Sequence, residues 1–121
     1  MKNIPTKNIE SSAFKDFLNS SKPMLIEVRA EWCGGSHIIA PIIKKIERDF
    51  ANRILIERID FETNKNFLIE CGIENVPSII LVKDGKIYEL INGTLSKRNL
   101  KKLIDDLLNN NNHTSENQEL Q

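Results

Sequence analysis

The sequence lacks an excess of charge of either sign and any long apolar run. Lysine and arginine number 17, as do aspartate and glutamate, so the formal net charge at pH 7 is zero. A balanced charge gives no reason to expect nucleic acid or an anionic membrane as a partner. No apolar run reaches the roughly 18 residues that a membrane-spanning helix needs. Signals for a phosphate loop, a zinc site or paired catalytic carboxylates are also missing, and we expect no cofactor and no metal.

Cysteine is scarce as well. The two cysteines, Cys33 and Cys71, lie far apart in the sequence. Counting alone permits a disulfide between them, but a reducing compartment disfavours one. Residues 1–5 lack the apolar core of a secretory signal, which predicts a cytoplasmic protein if the chain is complete at that end. We expect Cys71 to be a partly buried thiol.

What the chain does contain suits one domain followed by a tail. Its 121 residues are 40% hydrophobic, which is enough for a real core. We predict a domain over residues 1–108 and a disordered polar tail over 109–121, because the tail opens with four asparagines and has little to bury.

Apolar periodicity predicts alternating helices and strands. Strands are expected at 24–29, 54–59, 78–83 and 86–91, with an early one around 6–9. Helices are expected after Ser11 or Ser12, from Cys33 or Gly34, from Asn64 to about Gly72, and from Ser96. The second helix has a face of regularly spaced isoleucines and an opposite, charged face; these are Ile38, Ile39, Ile42, Ile43 and Ile46, and Lys44, Lys45, Glu47 and Arg48. The last helix is expected to bury Leu100, Leu103, Ile104, Leu107 and Leu108. Asp84-Gly85 is typical of a hairpin turn. The order predicts an α/β fold with a mixed central sheet of four to five strands and helices on both faces.

Cys33 lies where a predicted strand gives way to a predicted helix. The free amide groups and positive dipole of a helix N-terminus stabilise a thiolate, so we expect the pKa of Cys33 to lie below the ~8.5 of an ordinary thiol. Gly34 and Gly35 would let the backbone turn tightly and leave the sulfur open, and Trp32 would offer a flat apolar surface. The pattern indicates a nucleophile for thiol–disulfide exchange.

Three segments carry a family resemblance. Ala30-Glu31-Trp32-Cys33-Gly34, with Ala40-Pro41 after it, resembles the active-site helix of thioredoxins, which carry Trp-Cys-Gly-Pro-Cys. Val76-Pro77-Ser78 is similar to their segment with a cis-proline, and Gly93 resembles their last strand-to-helix junction. The resemblance runs over about residues 8–108 and implies a thioredoxin fold.

The resemblance also implies roles for single residues. Cys33 matches the attacking cysteine, and Pro77 matches the cis-proline. Val76 would present its backbone to an extended substrate, Gly93 would lie in the substrate groove, and Trp32 would flank the sulfur.

The chain departs from the family pattern at the site. Ser36 replaces the second cysteine, Gly35 the proline, Glu27 a buried aspartate and Arg58 a nearby lysine. Ser36 either donates a hydrogen bond to the Cys33 thiolate or is inert. Glu27 either perturbs the site, directly or through water, or is a buried acid paired with Arg58 for structure alone.

Three functions remain open. The first is a thiol–disulfide oxidoreductase with one nucleophilic cysteine, a monomer acting on proteins or small molecules that bear thiols or disulfides, whose mixed disulfide an outside thiol resolves. Cys71 would resolve it only if its Cα came within ~7 Å of that of Cys33. The second is a non-catalytic peptide-binding module. The third is a dimer that binds an iron–sulfur cluster, because Cys33-Gly34-Gly35-Ser36 is superficially similar to the Cys-Gly-Phe-Ser motif of monothiol glutaredoxins.

Overall fold

The computed structural model of the protein describes residues 2–5, 9, 15–16, 18–30, 34–93 and 95–109. The elements are, in chain order, β1 (Lys2–Asn3), β2 (Met24–Arg29), α1 (Gly34–Asp49), β3 (Leu55–Asp60), a 3-10 turn (Glu62–Asn64), α2 (Lys65–Cys71), β4 (Ser78–Lys83), β5 (Lys86–Asn92) and α3 (Lys97–Asn109). The strands predicted at 24–29 and 78–83 are confirmed to the residue, and β3 and β5 differ from their predicted bounds by one residue.

Two predicted elements and the tail fall largely outside the described residues. Of the early strand predicted at 6–9, residue 9 alone is described. Of the first predicted helix, residues 15, 16 and 18 are described and are helical. Residues 110–121, which hold nearly all of the predicted tail, also lie outside the described part of the chain.

The strands form one mixed sheet in the order β1-β5-β4-β2-β3. The β2–β3 pair is parallel, and β2–β4, β4–β5 and β1–β5 are antiparallel. The sequence did not predict β1, which is two residues long and pairs Lys2 with Ile87. The predicted mixed sheet is confirmed.

A tight hairpin joins β4 to β5. Asp84 and Gly85 have φ angles of 54° and 73°. Two successive positive φ angles are the signature of a type I′ turn, which suits the right-handed twist of paired strands. The hairpin predicted at Asp84-Gly85 is therefore confirmed.

Each face of the sheet carries its own hydrophobic core, because successive strand side chains point to opposite faces. On the α2 face, Met24, Ile26 and Val28 of β2 pack with Phe67, Leu68 and Cys71 of α2. On the α1/α3 face, the buried side chains of the strands and helices include Leu25, Ile79, Leu81, Ile39, Ile43, Ile46, Leu100, Ile104 and Leu107. Helices on both faces, as predicted, therefore bury the middle strands from two sides.

Candidate functional site

The candidate site lies where β2 ends and α1 begins. Ala30, just after β2, is buried, and Gly34 is the first residue of α1. Trp32 and Cys33 lie between them and outside the described residues, so their roles stay predictions. Because Cys33 immediately precedes α1 in the sequence, we still expect the amide groups of a helix N-terminus to stabilise its thiolate.

Gly34 and Gly35 do not form the tight turn that we expected. Both belong to α1, as does Ser36. Among the described residues beyond its chain neighbours and its own helix backbone, a Cβ on Gly34 would meet no atom within 4 Å, so this position is open. The glycines thus keep side chains away from the start of the helix, which agrees with an accessible surface beside Cys33.

Ile38 lies one turn into α1 and does not join the core, although its spacing matched the buried isoleucines of that helix. It is 64% exposed, whereas its neighbour Ile39 is fully buried. A large apolar side chain near the predicted nucleophile thus faces solvent, and sequence periodicity assigned it to the wrong face.

Glu27 is fully buried in the middle of β2, on the α1 side of the sheet. It lies opposite Arg58 in the parallel β2–β3 register, and Arg58 Nε is 3.1 Å from Glu27 Oε1. That contact is an ion pair, and Oε2 has no hydrogen-bond partner among the described residues. Burial raises the pKa of Glu27, and the charges of Arg29 and Arg58 oppose that rise.

Arg58 also reaches Glu47 of α1. Its Nη2 donates a hydrogen bond of 3.2 Å to Glu47 Oε1. One guanidinium therefore bridges the buried Glu27 and a half-exposed carboxylate on the helix that follows Cys33. Sequence reasoning missed Glu47 because it placed this residue on the solvated face of the helix.

Pro77 and Gly93, two predicted site residues, are brought together by a backbone contact. The Val76–Pro77 peptide bond is cis. The Gly93 amide donates a hydrogen bond of 2.8 Å to the Pro77 carbonyl oxygen. Gly93 has a φ of 102°, a conformation that favours glycine, so the residue type at 93 suits this contact.

The segment 74–78 is held further by the side chain of Asn92, at the end of β5. Asn92 Oδ1 lies 3.1 Å from the Glu74 amide nitrogen and 3.3 Å from Ser78 Oγ. The buried Ser78 hydroxyl also donates to the Asn75 carbonyl oxygen. We call Asn92, Ser78 and these two backbone groups of residues 74 and 75 the Asn92 clasp. No sequence motif pointed to it.

Comparison with known proteins decides the family. The thioredoxin family model matches residues 5–106. The thioredoxin of Acidithiobacillus ferridurans is 37% identical over 93 residues, which are 77% of this chain and 86% of that protein. The chain belongs to the thioredoxin family. The thioredoxin of Mycobacterium bovis is 30% identical over 109 residues, 90% of this chain and 94% of that one.

A solved structure supports the fold. It comes from work on the thiol resolving mechanism of yeast mitochondrial 1-Cys peroxiredoxin via glutathione/thioredoxin systems. It superposes with a TM-score of 0.71, at 24% identity, over 80% of this chain and 90% of that chain. The predicted thioredoxin fold is confirmed, and membership of the family supports a thioredoxin-like oxidoreductase.

A small open pocket lies beside the cis-proline segment of this thioredoxin-family chain. Phe61, Glu74, Asn75 and Val76 line it, and its volume is about 180 Å³. Lys65 Nζ lies 5.7 Å from the centre of the Phe61 ring. Val76 therefore belongs both to this pocket and to the cis peptide bond with Pro77.

Cys71 lies away from the candidate site. It is buried among the apolar side chains of the α2 face, at 3% exposure, rather than partly buried as expected. The helix that follows Cys33 packs on the opposite face. This placement gives Cys71 a role in the core and offers no support for it as a resolving thiol.

The part of the chain that the structure describes holds no group of three or more His, Cys, Asp or Glu side chains arranged to bind a metal ion. Within the same described ranges, no helix is long and apolar enough to cross a membrane.

Proposed function

We propose that this thioredoxin-family chain is a thiol–disulfide oxidoreductase that uses Cys33 as its single nucleophile. The observation that carries the proposal is the pairing of two features at one end of the sheet. Cys33 immediately precedes α1, and the Pro77–Gly93 contact holds the segment that in this family faces the nucleophile. The fold would therefore provide both the thiolate and the segment that holds the substrate.

The proposed reaction is a thiol–disulfide exchange. The Cys33 thiolate attacks one sulfur of a substrate disulfide, a bond forms between those two sulfurs, and the other substrate sulfur leaves as a thiolate. An external thiolate then attacks the substrate sulfur of this mixed disulfide. The new disulfide joins the external thiol to the substrate, and Cys33 leaves as a thiolate. Each step conserves the number of disulfides and needs no other oxidant.

Ser36 gives this reaction its monothiol character. It stands three residues after Cys33, within the first turn of α1. Its hydroxyl cannot close a disulfide, so the mixed disulfide must wait for an outside thiol. A hydroxyl three residues from a helix-terminal thiolate is suited to donate a hydrogen bond to it.

Glu27 is, in this proposal, a structural acid. A second cysteine at position 36 would need a base, but Ser36 takes no part in a proton transfer. The Glu27–Arg58 ion pair of 3.1 Å supports the β2–β3 register beneath the site. Trp32, Gly34 and Gly35 would form the open surface around the sulfur, and the exposed Ile38 extends that surface along α1.

The substrates in this proposal are proteins or peptides with a disulfide, bound by a monomer. An extended segment would lie along the backbone of segment 74–78, in the manner of a peptide that binds as an added strand. A low-molecular-weight thiol is a suitable resolving partner because it needs little space at an exposed helix start.

The test measures whether the mixed disulfide on Cys33 needs an outside thiol to be resolved. Reduced protein is mixed with a disulfide-bearing peptide, and the products are analysed by intact mass with Cys33→Ser as the control. We expect a mixed disulfide on Cys33 that persists until a small thiol is added. A separate insulin-reduction assay with a thioredoxin reductase should show slow turnover that Ser36→Cys raises. Wild-type turnover equal to that of Ser36→Cys would contradict a monothiol site.

A non-catalytic binding module is the second candidate, and the Asn92 clasp favours it. The clasp orders the segment 74–78 through groups remote from Cys33 in sequence. If peptide binding by Cys33→Ser equals that of the wild type and no mixed disulfide forms with the wild type, binding is the function.

A further inference from the structure

The Asn92 side chain makes contacts that neither the family pattern nor the sequence motifs assign. It lies at the last residue of β5, next to Gly93, and is itself exposed. Its two hydrogen-bond partners are 18 and 14 residues away in the sequence, on the segment that carries Val76 and Pro77. We propose that Asn92 is a positioning residue that fixes segment 74–78 for an extended peptide disulfide. This inference rests on the proposed function.

The direction of the hydrogen bonds identifies the atom that matters. A backbone N–H can only donate, so the Asn92 atom 3.1 Å from the Glu74 nitrogen must be the acceptor Oδ1. The same oxygen lies 3.3 Å from Ser78 Oγ. The single hydroxyl hydrogen of Ser78 is shared between Asn92 Oδ1 and the Asn75 carbonyl oxygen. The clasp therefore needs an acceptor at position 92 and makes no use of the amide NH2 group.

The two Asn92 contacts lie on either side of Val76 in the sequence. Glu74 lies two residues before Val76, and Ser78 lies two residues after it. The Gly93–Pro77 hydrogen bond of 2.8 Å adds a third tie from the next residue of the same strand end. Two backbone groups and one buried hydroxyl are thus anchored to residues 92–93, on either side of Val76.

The clasp also defines one wall of the pocket beside Val76. Glu74, Asn75 and Val76 all line that pocket, and the first two take part in the clasp through their backbones. A loosened clasp would move this wall, so it would affect a peptide that lies across the pocket more than a small disulfide that meets Cys33 alone. The expected signature is a change in selectivity between large and small disulfides.

Two substitutions separate the acceptor from the shape of the side chain. Asn92→Leu keeps a similar size and removes the acceptor, whereas Asn92→Asp keeps an acceptor for both hydrogen bonds. Asn99→Leu makes the same chemical change at an exposed position of α3. We would measure the rate of mixed-disulfide formation at Cys33 with an extended peptide disulfide and with dithiodipyridine. The quantity of interest is the peptide-to-dithiodipyridine rate ratio.

We expect Asn92→Leu to lower this ratio about 5-fold, as suits the loss of one or two hydrogen bonds of ordinary strength. Asn92→Asp and Asn99→Leu should keep the wild-type ratio. Hydrogen exchange of the Glu74 amide gives a readout that does not depend on activity. It should quicken about 5-fold in Asn92→Leu and stay unchanged in Asn92→Asp.

The outcomes distinguish this inference from the function on which it rests. A wild-type chain that reacts with neither disulfide would overturn the proposed function and this inference together. A reactive wild type with the same rate ratio in Asn92→Leu, or with unchanged Glu74 exchange in that variant, would overturn this inference alone. An equal fall in the ratio for Asn92→Asp would also overturn it, because the acceptor would then be irrelevant.

Discussion

The two faces of the sheet differ in what their cores contain, although the same strands supply both. The buried residues of the α2 face carry no charge: they are apolar from Met24 and Ile26 of β2 to Phe67 of α2, and the buried Ser78 adds one hydroxyl. The α1 face packs equally apolar helices but also takes in the fully buried Glu27. The face with the buried charge is the one on which the helix following Cys33 packs. Stability on the α2 face thus involves no buried charge, whereas on the α1 face it also depends on pairing one.

The largest expected effect is on the α2 face, which holds no buried charge. Phe67 is 2% exposed, and Phe67→Ala should lower the free energy of unfolding by about 3–5 kcal/mol through lost burial and a cavity. Because no charge is involved, the loss should be the same at pH 5 and pH 8. Urea unfolding at both pH values measures it. A loss below about 1 kcal/mol would show that the α2 face collapses around the cavity.

A smaller but pH-dependent effect is expected on the α1 face. Arg58→Met leaves Glu27 buried without its ion-pair partner and should cost about 2 kcal/mol at pH 7, which is less than the ~3–5 kcal/mol of a fully buried pair because the Arg58 side chain is 29% exposed. The double variant Glu27→Gln/Arg58→Met should recover most of that loss. If the double variant is no more stable than Arg58→Met, the buried charge is not the cause.

The sign of the pH dependence follows from the raised pKa of Glu27, which burial causes. A carboxyl group whose pKa is higher in the folded state stabilises the fold fully at pH values below its unfolded pKa. That contribution is lost as the pH rises through the folded pKa. Arg58→Met removes a positive charge and raises the folded pKa further, so its cost should shrink towards acidic pH. A cost that grows towards acidic pH would contradict this account.

The smallest effect concerns Tyr88, the chain's one tyrosine, which packs in the core of the α1 face. Burial raises its pKa to about 12, with smaller contributions from Asp106 and Glu89. The ultraviolet absorbance of tyrosinate should therefore appear near pH 12, and near pH 10 in urea-unfolded protein. Tyr88 contributes stability up to its unfolded pKa and loses it as the pH rises further. A native titration near pH 10 would show that the α1-side core is open at Tyr88.

Local features of the sequence predicted much of the fold. Strand β4 and the Asp84-Gly85 hairpin follow from β-branched residues and from a two-residue turn that tolerates positive φ, and both act over a few neighbouring residues. Helix α3 follows from apolar spacing, although Leu103 and Leu108, expected in the core, are half-buried. Strand β1 escaped prediction because two residues carry no period, and their pairing depends on the edge of β5.

The candidate site also contains residues that the sequence predicts and residues that it does not. Its family motif can be read directly, because the residues around Cys33 are neighbours in the chain. Glu47 and Asn92 cannot be found in this way, since their partners lie 11 to 18 residues away and are brought close by helix docking and strand pairing. Burial within α1 also depends on packing. Ile38 and Ile39 are the same residue type and were expected on the same buried face, yet Ile38 is 64% exposed and Ile39 is buried.

The sequence by itself determined the family, the mixed sheet and the replacement of the second cysteine by Ser36, because these depend on residue identity and short-range pattern. The tertiary structure alone decided that one guanidinium would bridge Glu27 and Glu47, and that Asn92 would hold the segment around Val76. A buried carboxylate needs a counter-charge and a backbone amide needs an acceptor. Which residue meets each need depends on the packing of elements that are distant in the sequence.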